Sequence, residues 1–276
     1  MSEAASTAAP AAPPVTDVVR ARPSGFFGDV TSVASRALRL LPRDLEAIIP
    51  AMLIPLFFLV VTIGAIQNLA GDVVSDIDYK AFQLPVAIMT AVTGMSRANA
   101  LVIDISEGYF DRLLMTPVNR YALLLGLMVA DFTLFVVMAV PVIAVGFAIG
   151  VSFGATGILG LLVFVLFGAL WGLAFTGFPY AIALRTGNPG AVNSSFLLFF
   201  PFMFLTTAWV SRDVMTDWLA AITWFNPMTY ALEGMRSLFS GWDGWALGRA
   251  LLSIAVVGIL AQSLAFRALR GRIRRG

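Results

Sequence analysis

Ionisable side chains are scarce in this sequence, and four of them sit among residues that are almost entirely apolar. Arg97 and Asp131 lie within long hydrophobic runs, while Glu233 and Arg236 stand one helical turn apart in a shorter apolar stretch. A charge held in hydrocarbon is costly, so such residues mark a pathway or a structural ion pair. Arg97 can snorkel toward headgroups near Asp104, or pair with Asp131 in an intramembrane polar network. Glu233 and Arg236 can pair with each other or guard an exit. None of the four has the neighbours that acid–base or nucleophilic catalysis requires. The chain contains neither histidine nor cysteine, which removes disulfides, thiolate or imidazole metal sites and histidine proton transfer. It also lacks a Gly-x-x-x-x-Gly-Lys-Ser/Thr phosphate loop for ATP. The expectation is a chain that catalyses nothing itself and binds no cofactor or metal.

The elements that carry these groups are read from hydropathy. The chain is 59% hydrophobic and only 12% charged, far from the usual quarter of a soluble domain. About 20 apolar residues cross a bilayer core as a helix. Six runs are predicted to do so, at 46–70, 82–103, 122–150, 158–184, 190–209 and 248–268. Prolines 50, 55, 85, 141, 179 and 201 in or near these runs are tolerated in membrane helices. Gly146 with Gly150, and Gly168 with Gly172, suit close helix approach. The fold class expected is an all-α integral membrane bundle. Arginine clusters before the first run, in the loops at 112–120 and 185, and in the tail at 267–275, so that side is assigned to the cytoplasm with both termini. Five of the six tryptophans (209, 218, 224, 242 and 245) fall toward the other side, as an interfacial belt would.

Outside the runs, residues 1–28 read as a disordered cytoplasmic tail rich in Ala, Pro, Ser and Thr, and 271–276 as a basic tail that suits anionic lipid rather than nucleic acid. Val30, Val33, Ala34, Ala37, Leu38 and Leu41 form one helical stripe, with Asp29 placed to cap its start and Pro42 its end. This predicts an amphipathic helix lying along the inner leaflet, and a helix packed on the chain's own spans reads equally well. Between the second and third runs, Phe110, Leu113 and Leu114 share a face beside Asp111 and Arg112, and Pro117 ends the segment. A short apolar face in a loop needs a partner to bury it. At 210–247, Trp218–Phe225 is too short to cross and Asn226-Pro227 interrupts the pattern, which predicts a re-entrant helical hairpin near the outer exit. Asn193, Ser194 and Ser195 can line a pathway or hydrogen-bond within the bundle. Phe196, Phe199, Phe200, Phe202 and Phe204 can face a lipophilic substrate, lipid or the core.

The order of these features resembles the membrane subunits of ABC-2 type exporters, in their daunorubicin-resistance-like group. Glu107-Gly108, Asp111-Arg112-Leu113-Leu114 and Thr116-Pro117 follow that family's Glu-x-Gly-Thr-x-Glu-Arg-Leu-x-x-Thr-Pro pattern, with Tyr109 and Asp111 as departures. Arg185-Thr-Gly-Asn-Pro189 stands where the family has a polar turn. Asn226-Pro227, Thr229-Tyr230, Glu233 and Arg236 follow its Asn-Pro-x-Thr-Tyr-x-x-Glu-x-x-Arg signature. The resemblance covers residues 29–270. It implies a permease in a bacterial inner membrane, paired with a second copy or a sibling and with two cytoplasmic ATPases that carry ATP and Mg. The segment 107–117 would be the coupling helix, with Phe110, Leu113 and Leu114 buried against the ATPase. The cargo would be a hydrophobic drug, antibiotic or lipid-like compound. A lipid-linked glycan permease, a proton-coupled transporter using Asp131, and a purely structural subunit are the alternatives.

Overall fold

The computed structural model describes residues 25–40, 45–73, 78–115 and 118–274, and in these segments the regular structure is helical. An amphipathic α1 (Phe26–Leu40) precedes α2 (Leu45–Val73). The second hydrophobic run is split into α3 (Tyr79–Thr93) and α4 (Ala98–Ser106), followed by the short α5 (Tyr109–Leu114) and the long α6 (Arg120–Ala148). The fourth run is also split, into α7 (Gly157–Phe175) and α8 (Gly177–Thr186). Beyond it lie α9 (Pro189–Ser194), a 3-10 turn (Ser195–Leu198) and α10 (Phe199–Phe204). Two further helices, α11 (Asp217–Thr223) and α12 (Pro227–Ser240), lead to α13 (Gly244–Ile273).

Among the described residues, five segments are long and apolar enough to cross a membrane: Ile48–Ile66, Tyr79–Ser106, Arg120–Ala148, Gly157–Thr186 and Gly244–Ile273. The run at 190–209 differs from the expected single spanning helix. Its helical part, Pro189–Phe204, is shorter and passes through the 3-10 turn. The reason lies at its two ends. Pro189 with Asn188 fixes the start, because the Asn188 side chain accepts from Gly190 and Ala191. At the other end the side-chain amide of Asn226 donates to the carbonyls of Phe202 (2.7 Å) and Leu205 (2.8 Å), capturing backbone acceptors that would otherwise continue the helix.

The centre of the bundle is α3, most of whose residues are buried. Glycines on its neighbours allow the approach. A Cβ on Gly146 of α6 would meet Leu84 at 2.9 Å, and one on Gly168 of α7 would meet Ile88 at 2.5 Å. One turn on, a Cβ at Gly172 would meet Phe135 of α6 at 2.8 Å. Side chains fill the space these glycines leave, and Trp171 is fully buried with its indole donating to Thr93 Oγ1 at 3.2 Å. Two apolar clusters result. The larger joins α2, α3, α6, α7, α12 and the first half of α13, and the other joins α4, α5, α8, the start of α6 and the last part of α13. One flank of α2 stays exposed through Ile49, Leu53 and Phe57, as suits contact with hydrocarbon.

Of the two readings of the N-terminal stripe, α1 realises packing on the chain's own spans. Ala34 and Ala37 are buried, and Val33 sits where a Cβ on Gly126 of α6 would come within 2.6 Å. The expected cap is corrected: α1 starts at Phe26, so Asp29 lies inside its first turn. There its backbone N–H reaches Gly25, whose φ of +79° turns the chain into the helix.

The contact between α8 and α13 has no slack. A Cβ at Gly177 would meet the backbone carbon of Ala261 at 2.3 Å, whereas one at Gly248 meets nothing within 4 Å. Gly177→Ala is therefore expected to lower stability by about 1–3 kcal/mol, and Gly248→Ala to cause no loss. Thermal unfolding of the purified variants in detergent checks this, and equal midpoints for the two would contradict the packing.

Candidate functional site

The segment expected to meet a partner is built on a single turn. Gly108 adopts a left-handed φ of +70° after α4, and this redirects the chain into α5. The apolar face of α5 then folds back on its own protein. Phe110 is only 4% exposed, packed in the cluster that holds Leu123, Leu124 and Leu127 of α6, with the Arg272 guanidinium 6.0 Å from its ring centre. Leu113 is half-buried against the same cluster. The expectation that Phe110 buries against a partner is thus corrected: α4, α6 and α13 already supply the apolar surface it needs. What faces outward is Glu107, Arg112 and Met115, the last 81% exposed. The Arg112 side chain also donates to the Glu107 carbonyl at 3.3 Å across the turn. The side chains of Asp111 and Leu114, and all of Thr116 and Pro117, lie outside the described residues.

A second layer ties α5 to α1. The Arg36 guanidinium donates to both carboxylate oxygens of Asp104 on α4, at 2.9 and 3.1 Å, and lies 4.1 Å over the ring of Tyr109. Hydrogen bonding to Asp104 holds the Arg36 guanidinium above its ordinary pKa. Exposed pairs contribute little individually, but this one is bidentate and stacked, so it fixes geometry as well as charge. Next to it, Asp29 accepts from the Asn119 backbone N–H at 2.9 Å, which pins the start of α6 to α1. Between these contacts lies a cleft of about 230 Å³ lined by Val33, Leu101, Tyr109, Phe110 and Leu113. The Arg36–Asp104 pair is 68 residues apart in sequence, and only the tertiary fold makes it visible. Tyr109, a departure from the family pattern, is what Arg36 stacks on.

The two intramembrane charges do come together, but not as a simple side-chain pair. Asp131 is completely buried on α6. One of its oxygens accepts from the backbone N–H of Arg97 at 2.8 Å, and the other accepts from the Tyr180 hydroxyl of α8 at 2.6 Å. The side chain of Arg97, 5% exposed, donates to the Ala37 carbonyl near the end of α1. The snorkelling expectation is therefore replaced. Arg97 starts α4 after the break in the second run, and its head is taken up by a carbonyl of α1 rather than directed to headgroups. Tyr180 was not predicted, since an isolated tyrosine in an apolar run carries no signal of its partner.

At the opposite end, Asn226, Thr229 and Arg236 of the Asn-Pro signature hold the end of α10 and the chain just after it, while Tyr230 and Glu233 bind other elements. Asn226 caps α12 by accepting from the Met228 N–H, while its amide holds Phe202 and Leu205. The Thr229 and Thr206 hydroxyls are 2.7 Å apart. Tyr230 donates to the Trp224 carbonyl at 2.6 Å, closing the bend between α11 and α12. Of the two readings of Glu233 and Arg236, pairing with each other is not realised. Glu233 takes Arg212 (3.1 Å) and Arg249 (3.5 Å), one on each of its oxygens. Arg236 turns the other way, to the carbonyls of Phe82 (3.0 Å) and Thr207 (2.8 Å) and over the Phe82 ring. Pro227 occupies the first position of α12, where its missing N–H costs nothing.

Of the polar residues at the start of the fifth run, Ser194 and Ser195 return their hydroxyls to the carbonyls of Gly190 and Val192 in α9. Asn193 differs, because its side-chain oxygen accepts from Asn99 of α4 at 2.7 Å. Asn193, Ser195, Asn99 and Ser96 line a recess of about 190 Å³ beside the break in the second run.

Residues 29–240 match the model of the family described as ABC-2 type transporter. The chain is 30% identical over 226 residues to the Daunorubicin resistance ABC transporter permease protein DrrB1 of Streptomyces coeruleorubidus, covering 78% of this chain and 76% of that protein. It is 26% identical over 236 residues to the protein named Probable doxorubicin resistance ABC transporter permease protein DrrC of Mycobacterium tuberculosis, covering 85% and 82%. Against the Probable multidrug ABC transporter permease YbhR of Escherichia coli K12, identity is 25% over 169 residues, or 59% of this chain and 45% of that protein.

The Asp131 network makes a stability prediction. Asp131→Leu leaves the Arg97 N–H and the Tyr180 hydroxyl without their acceptor, at a cost on the order of 3 kcal/mol. Tyr180→Phe leaves the buried Asp131 with only one of its two donors and should cost about 2 kcal/mol. Unfolding of the purified variants measures both, and an Asp131→Leu variant as stable as the parent would refute the network.

Proposed function

This chain belongs to the ABC-2 type transporter family and is a multi-pass membrane permease of an ABC transporter; from that premise we propose that it exports a hydrophobic drug, antibiotic or lipid-like compound. It works as a dimer, with a second copy or a sibling permease, and is driven by two cytoplasmic ATPase subunits that carry the ATP and Mg. The compounds in the names of its relatives support the cargo class, and so does the apolar character of the helices that a cargo must pass. In this reading Pro189–Phe204 with the turns after it makes the sixth crossing, α11 and α12 are a re-entrant pair at the outer exit, and both termini face the cytoplasm of a bacterial inner membrane. The density of arginine at the α1, α5 and α13 end supports that orientation.

The observation that carries the proposal is the construction of α5. Its apolar side is anchored by Phe110 in the permease, and its outer side presents Glu107, Arg112 and Met115 with no covering element among the described residues. A helix so held transmits a push rather than yielding to it. Closure of the ATPase pair would displace α5. Through Arg36 and Asp104 the displacement would reach α1 and α4, and through Arg97 it would reach Asp131 and Tyr180 at the broken spans. The driving force is the difference in contact between α5 and the two ATPase states, which is the only way a partner can bias a two-state bundle. No second function is favoured, since both oxygens of Asp131 are already engaged by donors.

The double variant Arg112→Glu/Met115→Asp tests this by co-purification with the ATPase. Binding is expected to fall at least about tenfold, or about 1.4 kcal/mol, while the permease keeps its unfolding midpoint. Unchanged ATPase binding and transport in this variant would overturn the assignment of α5.

A further inference from the structure

The last helix carries two different faces. Ala250, Ile254, Val257, Ala261, Ala265 and Ala268 are buried and pack α13 into the bundle. On the opposite face Leu252, Val256 and Leu260 are 46–66% exposed. At the same helical spacing that face continues through the half-buried Ser263 into Arg267, Arg270 and Arg274, all three exposed. One straight stripe therefore runs from apolar, outward-facing side chains to three arginines. From Trp245, 74% exposed at the start of α13, to Arg267 the helix is about 33 Å long. That is close to the roughly 30 Å of a bilayer core, so Arg267 stands at headgroup level with Arg270 and Arg274 beyond it.

The middle arginine is held in place by another helix. Arg270 Nε donates to the Tyr121 hydroxyl at the start of α6, at 3.0 Å. The Tyr121 ring in turn packs on Phe266, with ring centres 5.9 Å apart. This leaves the two terminal nitrogens of Arg270 as a fork, beside a tyrosine O–H that can still donate. Among the described residues, no carboxylate pairs with Arg267, Arg270 or Arg274, whereas Arg36 takes Asp104, and Arg212 and Arg249 share Glu233. Side chains on a helix lean toward its N-terminus, which here directs Arg270 and Arg274 back toward the membrane. Three uncompensated positive charges within two turns, one of them a positioned fork, fit the phosphate of an anionic headgroup.

We propose that this end of α13, with Tyr121, is a binding site for an anionic phospholipid. The phosphate sits between the Arg270 fork and the Tyr121 hydroxyl, Arg267 and Arg274 flank it, and an acyl chain lies along Leu260, Val256 and Leu252. In the orientation given above, this is the cytoplasmic leaflet. The site needs only a multi-pass membrane protein, so it stands whether or not the exporter reading does. A free phosphate would use the arginines and leave the apolar stripe empty. An acidic face of the ATPase could not follow the stripe into hydrocarbon, and in the reading above it meets α5 instead.

The test uses the purified full-length permease in a zwitterionic detergent, titrated with cardiolipin or with phosphatidylcholine and read by native mass spectrometry. Cardiolipin should bind saturably and more tightly than phosphatidylcholine. Tyr121→Phe and Arg270→Gln should each raise the cardiolipin Kd about fivefold, and the triple variant Arg267→Gln/Arg270→Gln/Arg274→Gln at least about fiftyfold. Phosphatidylcholine binding and the unfolding midpoint stay as in the parent. Arg39→Gln, which removes an exposed charge of α1 off the stripe, leaves the Kd unchanged. An unchanged Kd in the triple variant, or the same loss from Arg39→Gln, overturns the site. Excess inorganic phosphate should not displace the lipid, and displacement would overturn the assignment in favour of a free anion. Loss of ATPase co-purification in the triple variant with cardiolipin binding intact would overturn it too, by giving the arginines to the ATPase.

Discussion

A bilayer core offers no water to a broken helix, so every interruption in a spanning segment must find its hydrogen-bond partners inside the protein. Two of the spans here are interrupted, after Thr93 and at Thr176. The first break is satisfied by Asp131, which accepts from the Arg97 N–H, and by Ser96, whose hydroxyl accepts from the Ala98 N–H at 3.2 Å. At the second, Pro179 has no N–H to offer the Phe175 carbonyl. Here Gln262 of α13 and the Thr176 hydroxyl both donate to the Leu173 carbonyl at 2.7 Å. Asp131 connects the two breaks because its other oxygen holds Tyr180, four residues beyond Thr176. A carboxylate that would be prohibitive alone is sustained by two donors, and those donors are what bind the halves of the bundle in one arrangement.

From that junction the contacts run outward in both directions. Toward α1, the Arg97 side chain caps a helix that is pinned to α4 by Arg36 and to α6 by Asp29. The helix α5 hangs from the same assembly through Phe110. At the other end, Asn226, Thr229 and Arg236 each take a group from the chain just after α10, and Glu233 gathers two arginines from either side. The last turn of α10 and the tryptophan that follows it are therefore set by α12. One end of α10 is thus fixed through α12, and the opposite end of the bundle is fixed through α1 and α5.

Much of this could be read from residues alone, and the failures have a common cause. Long apolar runs and an Asn-Pro step are local signals, so the spans and the start of α12 are legible. The position of Phe110 is not. Periodicity identifies an apolar face without saying what covers it, and here the covering is supplied by α4, α6 and α13. Glu233 and Arg236 are one turn apart and of opposite charge, yet each is drawn to partners on other elements. The break at Thr176 sits in a run with little polar signal, and the polar residues Ser96, Arg97 and Asn99 at the first break do not say which distant groups, Asp131 and Asn193, will meet them. The short helical part of the fifth run, Pro189–Phe204, misleads because its end is determined by an amide more than 20 residues away.

The central claim is that the outward face of α5 touches the ATPase and moves with its nucleotide state. The chain has no cysteine, so a single one at Met115 can be followed without background. Met115→Cys should cross-link to the co-expressed ATPase with a short bifunctional reagent, and the yield should change when ATP and Mg replace the nucleotide-free condition. A yield that does not differ between the two conditions would contradict it. So would a cross-link that forms from Phe225→Cys at the opposite end of the bundle and not from Met115→Cys.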